Sequence, residues 1–144
     1  MEQGINIENV RIGDVISISL GIYDGILPKD GYPERRKFFI VLGICNGYML
    51  LGGVVINSVI NMRLPKVVRL YHIPIESEKY PFLKYDSYVD CSTLIKPRFS
   101  RLKSAFLLGR IDDADMSEIL SRLRTSPGIA PIDLDLFGLR KTKP

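Results

Sequence analysis

The sequence lacks the features that mark several large classes of protein. No apolar run approaches the roughly 18 residues that a membrane-spanning helix needs, so we predict no membrane segment. Met1–Gly4 has no positively charged stretch followed by an apolar one, which argues against a signal peptide. Cysteine occurs only at Cys45 and Cys91, without a CxxC pair or a Cys/His cluster, so we expect no zinc site. Both cysteines lie in apolar segments, which predicts two buried free thiols and a reducing, cytoplasmic compartment.

The size and charge of the chain leave several functions open. A length of 144 residues suits one domain, and a hydrophobic content of 46% is ordinary for a packed core. The net charge of +4 permits binding to nucleic acid but does not establish it. We expect the basic tail Arg140–Pro144 to be a solvated chain end.

Short strands fill the first half of the chain. Val15–Leu20 alternates between apolar and polar residues, which predicts a strand with one buried face. Phe38–Ile44 is apolar without alternation, so it should be a central strand that is covered on both faces. Asn46-Gly47 then predicts a hairpin turn, because both residue types accept positive φ, and Tyr48–Ile56 is the expected return strand.

Further strands are predicted in the second half. Val67–Leu70 is expected to be a short strand, which His72–Ile75 extends with a proline near a sheet edge. Asp86–Ile95 has a period of two and ends before Pro97, and Phe106–Leu108 follows as another short strand. Because strands do not alternate with helices, we predict a mainly β fold, a small antiparallel barrel with few open edges.

One helix is predicted near the end of the chain. Asp112 or Asp113 can cap its N-terminus, and Ser126-Pro127-Gly128 stops it. Its apolar stripe is formed at spacings of three and four by Met116, Ile119, Leu120 and Leu123. We therefore divide the chain into residues 1–126, the barrel with its terminal helix, and residues 127–144, a C-terminal extension. In the extension, Ile129–Phe137 either adds an edge strand or packs in a groove.

Several segments together resemble the MazF/PemK toxins. Arg11–Ile16 looks like the Gly-Asp-hydrophobic strand that opens that family, and Arg36–Leu42 looks like its Arg-Arg-Pro-x-x-Val-Leu strand. Asp86–Ser92, Ser100–Leu102 and Leu108–Ile111 are similar to its last strands, and Asp112–Met116 resembles the start of its final helix. The resemblance covers roughly residues 10 to 124. It implies an SH3-like barrel, a homodimer, cleavage of single-stranded RNA without a metal or other cofactor, and an antitoxin protein as partner.

The resemblance also implies a set of site residues. The arginine of the family falls on Lys37, with Arg36 one residue earlier, and its catalytic threonine falls on Asn57 or Ser58. The catalytic candidates are therefore Lys37, Arg36, Asn57 and Ser58, and the cations expected to contact RNA are Arg35, Lys29, Arg63 and Lys66.

The chemistry of metal-free RNA cleavage needs an activated 2′-hydroxyl and a cation at the pentavalent phosphate. Lys37 can supply that charge, but without the bidentate fork of arginine. Ser58 can donate a hydrogen bond to phosphate, and Asn57 can do so without acting as a base. We assign the only histidine, His72, a structural or surface role, and nothing indicates that Asp86 and Asp90 share a pocket.

Two functions remain open. The first is a MazF/PemK-like endoribonuclease, and the second is a catalytically inactive barrel that binds nucleic acid or a protein.

The role of a group of aromatic residues also remains open. They either stack on bases or pack in the core, and they are Tyr80, Phe82, Tyr85 and Tyr88.

Overall fold

The structure, a computed structural model, describes residues 4–140 and contains one antiparallel sheet of six strands. The strands are β1 (Asp14–Gly21), β2 (Glu34–Cys45), β3 (Leu50–Asn57), β4 (His72–Ile75), β5 (Ser87–Asp90) and β6 (Phe106–Arg110). Their order across the sheet is β4-β5-β3-β2-β1-β6. This mainly β architecture confirms the predicted fold class, although the sheet keeps two edges, β4 and β6, and is not closed into a barrel.

Three α-helices and three 3₁₀ turns complete the described chain. The α-helices are α1 (Lys66–Arg69), α2 (Asp113–Arg124) and α3 (Pro131–Leu136). The 3₁₀ turns are Ile7–Asn9, Ile22–Asp24 and Phe99–Ser104.

Strand β2 is the centre of the sheet, as its unbroken apolar sequence predicts. It pairs with β1 on one side and with β3 on the other. Its alternate side chains enter different cores: Ile40 and Leu42 lie in one apolar cluster, whereas Phe39 and Val41 lie in the other. Both faces of the strand are therefore shielded from water, which explains why it has no polar alternation beyond Lys37.

The β2–β3 hairpin has a longer turn than Asn46-Gly47 alone predicts. The turn occupies four residues, and the amide of Met49 donates to the carbonyl of Asn46 across 3.2 Å. The positive φ of 54° falls on Met49 rather than on the asparagine or Gly47. The predicted hairpin is present, but its left-handed residue is Met49, although Asn46 and Gly47 are the types that favour positive φ.

Strand β5 is shorter than the predicted strand Asp86–Ile95. The carboxylate of Asp90 accepts hydrogen bonds from the backbone amide of Ser92 at 2.9 Å and from its hydroxyl at 2.5 Å. This Asx turn diverts the chain from the ladder at Cys91. Ile95 then returns to the sheet only as an isolated bridge to Gly53.

The prediction of a strand at Val67–Leu70 is wrong. This segment is helix α1, which begins after Pro65 and is followed directly by β4. Pro65 is the N-cap of this helix, and its carbonyl accepts from the amides of Val68 and Arg69 at 3.0 and 3.1 Å, so its missing N–H removes no hydrogen bond of the helix. The apolar residues Val67 and Leu70 are exposed, and the short β-branched run misled the interpretation.

Helix α2 confirms its predicted start and stripe. The carboxylate of Asp112 accepts from the amide of Asp115 across 2.8 Å, which satisfies a free donor of the first turn. Ile119 and Leu123 are fully buried against the sheet, while Met116 and Leu120 pack at the margin of the same cluster. The helix ends at Arg124, just before the predicted stop.

The segment after α2 packs on the sheet as a helix and not as an edge strand. Phe137 fills a shallow socket made by Gly43 and Gly52, which face each other across β2 and β3. A Cβ atom added at Gly52 would lie 2.6 Å from Cγ of Phe137. Leu134 and Leu139 are buried in the same apolar cluster as Ile40 and Leu42 of β2. Of the two alternatives for Ile129–Phe137, the structure therefore supports packing in a groove over an added edge strand.

The two thiols differ in exposure. Cys91 is fully buried, as predicted, but Cys45 is only half-buried near the end of β2. Burial raises the pKa of the Cys91 thiol to about 12, with a smaller contribution from the nearby carboxylate of Asp90.

Candidate functional site

A cleft of about 640 Å³ opens where β2 begins and β3 ends. Its volume lies within the range of about 300–1,000 Å³ that is typical of small-molecule sites. Strands β4 and β5 and the loops before and after them supply the remaining wall. The side chains that matter below are Lys29, Arg35, Arg36, Lys37, Asn57, Ser58, His72, Lys84, Tyr85 and Asp90.

The central contact of the cleft joins neighbouring strands. The ammonium group of Lys37 on β2 donates to the amide oxygen of Asn57 on β3 across 2.5 Å. Phe38 pairs with Ile56 in the register of these antiparallel strands, so the residues that flank this pair stand opposite each other on one face. The register alone therefore brings together two residues that are far apart in the sequence.

The ammonium group of Lys37 is half-buried, and its pKa is lowered to about 8. Desolvation is the largest cause, and the positive charges of Arg35 and Lys29 lower the pKa further. The carboxylate of Asp90 acts in the opposite direction and raises it. A lysine whose pKa is lowered by desolvation and by neighbouring charges in a cleft is a candidate functional group.

His72 and Asp90 form a second polar pair in the cleft wall. They face each other in the β4–β5 ladder, and Nε2 of His72 lies 3.7 Å from a carboxylate oxygen of Asp90. Nδ1 of His72 lies 3.1 Å from the carbonyl oxygen of Val68. Both ring nitrogens of His72 face protein groups and the residue is only 8% exposed, so the imidazole is a buried part of the cleft wall beside the carboxylate of Asp90.

The other carboxylate considered from the sequence, Asp86, accepts hydrogen bonds from the amide and hydroxyl of Ser77 at 2.9 and 3.0 Å. It does not line the cleft with Asp90.

Six of the eight candidate site residues line this one cleft, and two do not. Those that line it are Lys37, Arg36, Asn57, Ser58, Arg35 and Lys29. Arg63 and Lys66 are exposed in the loop after β3 and in α1, outside the lining of the cleft.

Arg36 has its guanidinium committed to other groups. Its Nη1 atom donates to the carbonyl oxygens of Ser17 at 3.1 Å and Ser104 at 2.8 Å. The guanidinium also lies 5.5 Å from the centre of the Phe106 ring. Successive side chains of a strand point to opposite faces, so Arg36 and Lys37 project away from each other. The arginine that the resemblance offers as an alternative does not join the Lys37–Asn57 contact.

Sequence reasoning missed three contributors to the cleft. Asp90 and His72 come together through the β4–β5 register, for which the sequence gives no signal. Lys84 precedes Tyr85, and its ammonium lies 5.8 Å from the centre of that ring, so a Lys-Tyr pair next to a predicted strand was a weak signal.

A second cavity of about 860 Å³ is larger but less suited to an anionic ligand. Of the three basic residues in its lining, Lys96, Arg98 and Arg101, two already have carboxylate partners, and the carboxylate of Asp24 also lines it. Lys96 contacts Asp133 at 3.0 Å, and Arg101 contacts Asp24 at 2.9 Å and Glu34 at 2.5 Å. These ion pairs join the C-terminal segment and the β1–β2 loop to the connection between β5 and β6.

Residues 4–140 contain neither a metal-binding cluster nor a helix that could span a membrane. No three His, Cys, Asp or Glu side chains lie together in a way that would hold a metal ion. Within the same residues, every helix is too short or too polar to cross a membrane.

Comparison with solved structures identifies the fold. A chain in the crystal structure of MazE-MazF (Form-III) from Deinococcus radiodurans matches 82% of this chain and 95% of its own length, with a TM-score of 0.54. The sequences are 13% identical, so the likeness concerns the fold alone. No protein-family model matches the chain, and no curated protein matches it. The protein therefore has a MazF-like fold.

Proposed function

We propose that this protein is an endoribonuclease that binds single-stranded RNA in the cleft and cleaves it without a metal ion. The observation that carries the proposal is the hydrogen bond of 2.5 Å between Lys37 and Asn57, in a cleft that Arg35 and Lys29 also line. Three cations at one cleft favour an anionic ligand. The MazF-like fold is consistent with the proposal.

The proposed reaction is attack of the 2′-hydroxyl oxygen on the adjacent phosphorus. The proton of the 2′-hydroxyl passes to solvent water. The bond from phosphorus to the 5′-oxygen breaks and that oxygen takes a proton from water, which leaves a 2′,3′-cyclic phosphate and a 5′-hydroxyl end. Lys37, in its protonated form, stabilises the negative charge that grows on the phosphate oxygens. Asn57 orients the ammonium group through its amide oxygen and keeps its NH₂ group for the RNA. The exposed Ser58 donates to a neighbouring phosphate.

Cleavage of a mixed-sequence single-stranded RNA in the presence of EDTA tests this proposal. We expect the wild type to cut and Lys37→Ala to lose at least about a hundredfold in rate, as for the loss of one donor to a developing oxyanion. Arg98→Ala is the matched control, because it removes a positive charge outside the lining of the cleft. A substrate with 2′-deoxyribose at the cut position should resist cleavage.

The results also separate the second candidate function. Binding of RNA by the wild type, with weaker binding by Lys37→Ala and no cutting of any sequence, would identify a binding module. Cutting by Lys37→Ala at the wild-type rate would reject the proposed site. Absence of both binding and cutting would reject a role with RNA altogether.

We propose further that the protein is a cytoplasmic homodimer that an antitoxin protein neutralises. The proposal is supported by the likeness to a chain of a MazE-MazF crystal structure. A native mass near twice 16.3 kDa in light scattering would agree with a dimer, and the mass of a single chain would contradict it. Growth arrest on expression, relieved by Lys37→Ala, is the expected result in cells.

A further inference from the structure

Tyr85 is an exposed aromatic ring on the wall of a cleft that also carries several cationic side chains. It is 60% exposed, whereas His72 is buried and Phe38 is half-buried with its ring 6.2 Å from that of Phe82. Tyr80 is 4% exposed and belongs to the core. Of the aromatic residues singled out in this part of the sequence, Tyr85 alone is both exposed and in the lining of the cleft.

The backbone around Tyr85 is held in place on both sides. Leu83 is buried, and its amide donates to the carbonyl of Tyr80 across 2.9 Å. The hydroxyl of Ser87 donates to the carbonyl of Tyr85 itself across 2.8 Å. Asp86 is tied to Ser77 by two hydrogen bonds, which lower the pKa of its carboxyl group. The ring is therefore presented by an anchored segment, and little conformational entropy is lost when a ligand contacts it.

A cation accompanies the ring. The ammonium of Lys84 lies 5.8 Å from the ring centre, and Lys37 and Arg35 line the same cleft. An exposed aromatic ring beside a row of cations is the combination that binds single-stranded nucleic acid, with bases stacked on the ring and phosphates on the cations. A duplex has its bases stacked inside and offers no free base to such a ring.

We propose that Tyr85 is a stacking platform for one unpaired base, while the adjoining RNA backbone contacts the cations of the cleft. This inference rests on the proposed function and specifies its substrate as RNA with an unstacked base. Because every base has a π face, the platform selects single strands and gives little preference among bases. Tyr85 contributes to binding and positioning, and Lys37 contributes to the chemistry.

The test is a binding cycle between variants of Tyr85 and abasic RNA. The probe is a fluorescein-labelled 2′-O-methyl oligonucleotide, which the proposed reaction cannot cleave, kept to the shortest length that binds so that its register is fixed. A series carries one abasic site at each position. For the wild type we expect one position at which loss of the base weakens binding by about tenfold, and for Tyr85→Ala we expect that loss to disappear.

Other variants isolate the contribution of the aromatic face. Tyr85→Phe should bind within about twofold of the wild type, whereas Tyr85→Leu should bind like Tyr85→Ala, because stacking needs the ring and not the hydroxyl. Tyr48→Ala, which removes an exposed ring outside the lining of the cleft, should have no effect. The chain has no tryptophan, so Tyr85→Trp supplies a single emission signal that bound RNA should quench.

The outcomes distinguish this inference from the proposed function. If Lys37→Ala weakens binding but Tyr85→Ala does not, the RNA site stands and the platform is wrong. If each abasic site weakened binding to the wild type and to Tyr85→Ala by the same factor, the proposed stacking on Tyr85 would also be wrong. If the wild type binds no RNA at all, both proposals fail together.

Discussion

The ammonium group of Lys37 lies 2.5 Å from the amide oxygen of Asn57, and this contact joins β2 and β3 inside the cleft. A carboxylate in place of that amide would stabilise the ammonium more strongly. We therefore expect Asn57→Asp to raise the pKa of Lys37 well above about 8. Loss of a nearby negative charge in Asp90→Asn should lower it, and loss of a positive charge in Arg35→Gln should raise it. NMR titration of the Lys37 side chain measures all three changes.

Affinity for RNA should depend on pH through Lys37. Below about pH 8 the lysine is charged, so affinity should be constant at fixed ionic strength. Above that pH the free protein must take up a proton to bind a phosphate, and the affinity should fall. Fluorescence anisotropy between pH 6.5 and 9.5 measures this. The fall in affinity above pH 8 should be absent in Lys37→Gln and should persist in Arg98→Gln. A wild-type profile in which affinity does not fall would contradict the role of Lys37 as a cation.

Stability should show the opposite dependence on pH. The pKa of Lys37 is about 8 in the folded state and 10.5 in its usual range, so the unfolded state holds more protons between these values. The contribution of Lys37 to the free energy of unfolding should therefore rise from pH 8 to 10.5. Lys37→Met removes a desolvated charge, and we expect it to be more stable than the wild type at pH 7.

Urea unfolding at pH 7 and pH 10 tests that expectation. The advantage of Lys37→Met should shrink at the higher pH, because the wild-type lysine is then largely neutral in the fold. Lys103→Met, at an exposed position, should show no such change with pH. A variant that is less stable than the wild type at pH 7 would show that the Asn57 contact outweighs the desolvation of the lysine.

The socket for Phe137 predicts how two glycines respond to substitution. Gly52→Ala would bring its Cβ to 2.6 Å from Cγ of Phe137, and we expect a loss of about 1–3 kcal/mol in the free energy of unfolding. Phe137→Leu in the same chain should reduce the extra cost of the alanine, because the two changes share one contact. A Cβ atom added at Gly47 would have no atom within 4 Å, so Gly47→Ala should change the free energy of unfolding very little. Denaturant unfolding of Gly52→Ala, Phe137→Leu, the double variant and Gly47→Ala measures these free energies. If the losses of Gly52→Ala and Phe137→Leu simply added in the double variant, the two residues would not share a contact.

The two cysteines should react differently with a thiol reagent. Burial and a pKa of about 12 keep the Cys91 thiol protonated and inaccessible, so Cys91 should not react with a thiol reagent in the native protein at pH 8. The half-buried Cys45 should react in the native state. With DTNB we expect one thiol in the native wild type and both in denaturant. Native Cys45→Ser that still reacted would show that the interior opens on the time scale of the assay.

Local patterns predicted most of the regular elements. The unbroken apolar run around Ile40 identified a central strand because a strand buried on both faces has no polar side to show. The acidic cap and stripe of α2 identified that helix because both depend on residues within one or two turns. Helix α1 was misassigned because its four residues are too few for a helical period to emerge from a β-branched run.

The site was predictable only in part, for a similar reason. The resemblance pointed to Lys37 and to Asn57 or Ser58 because each of them lies at the end of a recognisable strand. It could not exclude Arg36, whose guanidinium turns to Ser104 through contacts that no local pattern records.

The sequence by itself determined the mainly β class, the central strand, the main helix and the basic character of the residues around Lys37. Only the tertiary structure decided that Asn57 is the partner of that lysine, that His72 lies beside Asp90, and that Phe137 fills the glycine socket. The physical reason is that strand register and the path of long loops set contacts between residues that are distant in the chain. Those contacts also fix the burial of Lys37, and burial is the largest cause of its lowered pKa.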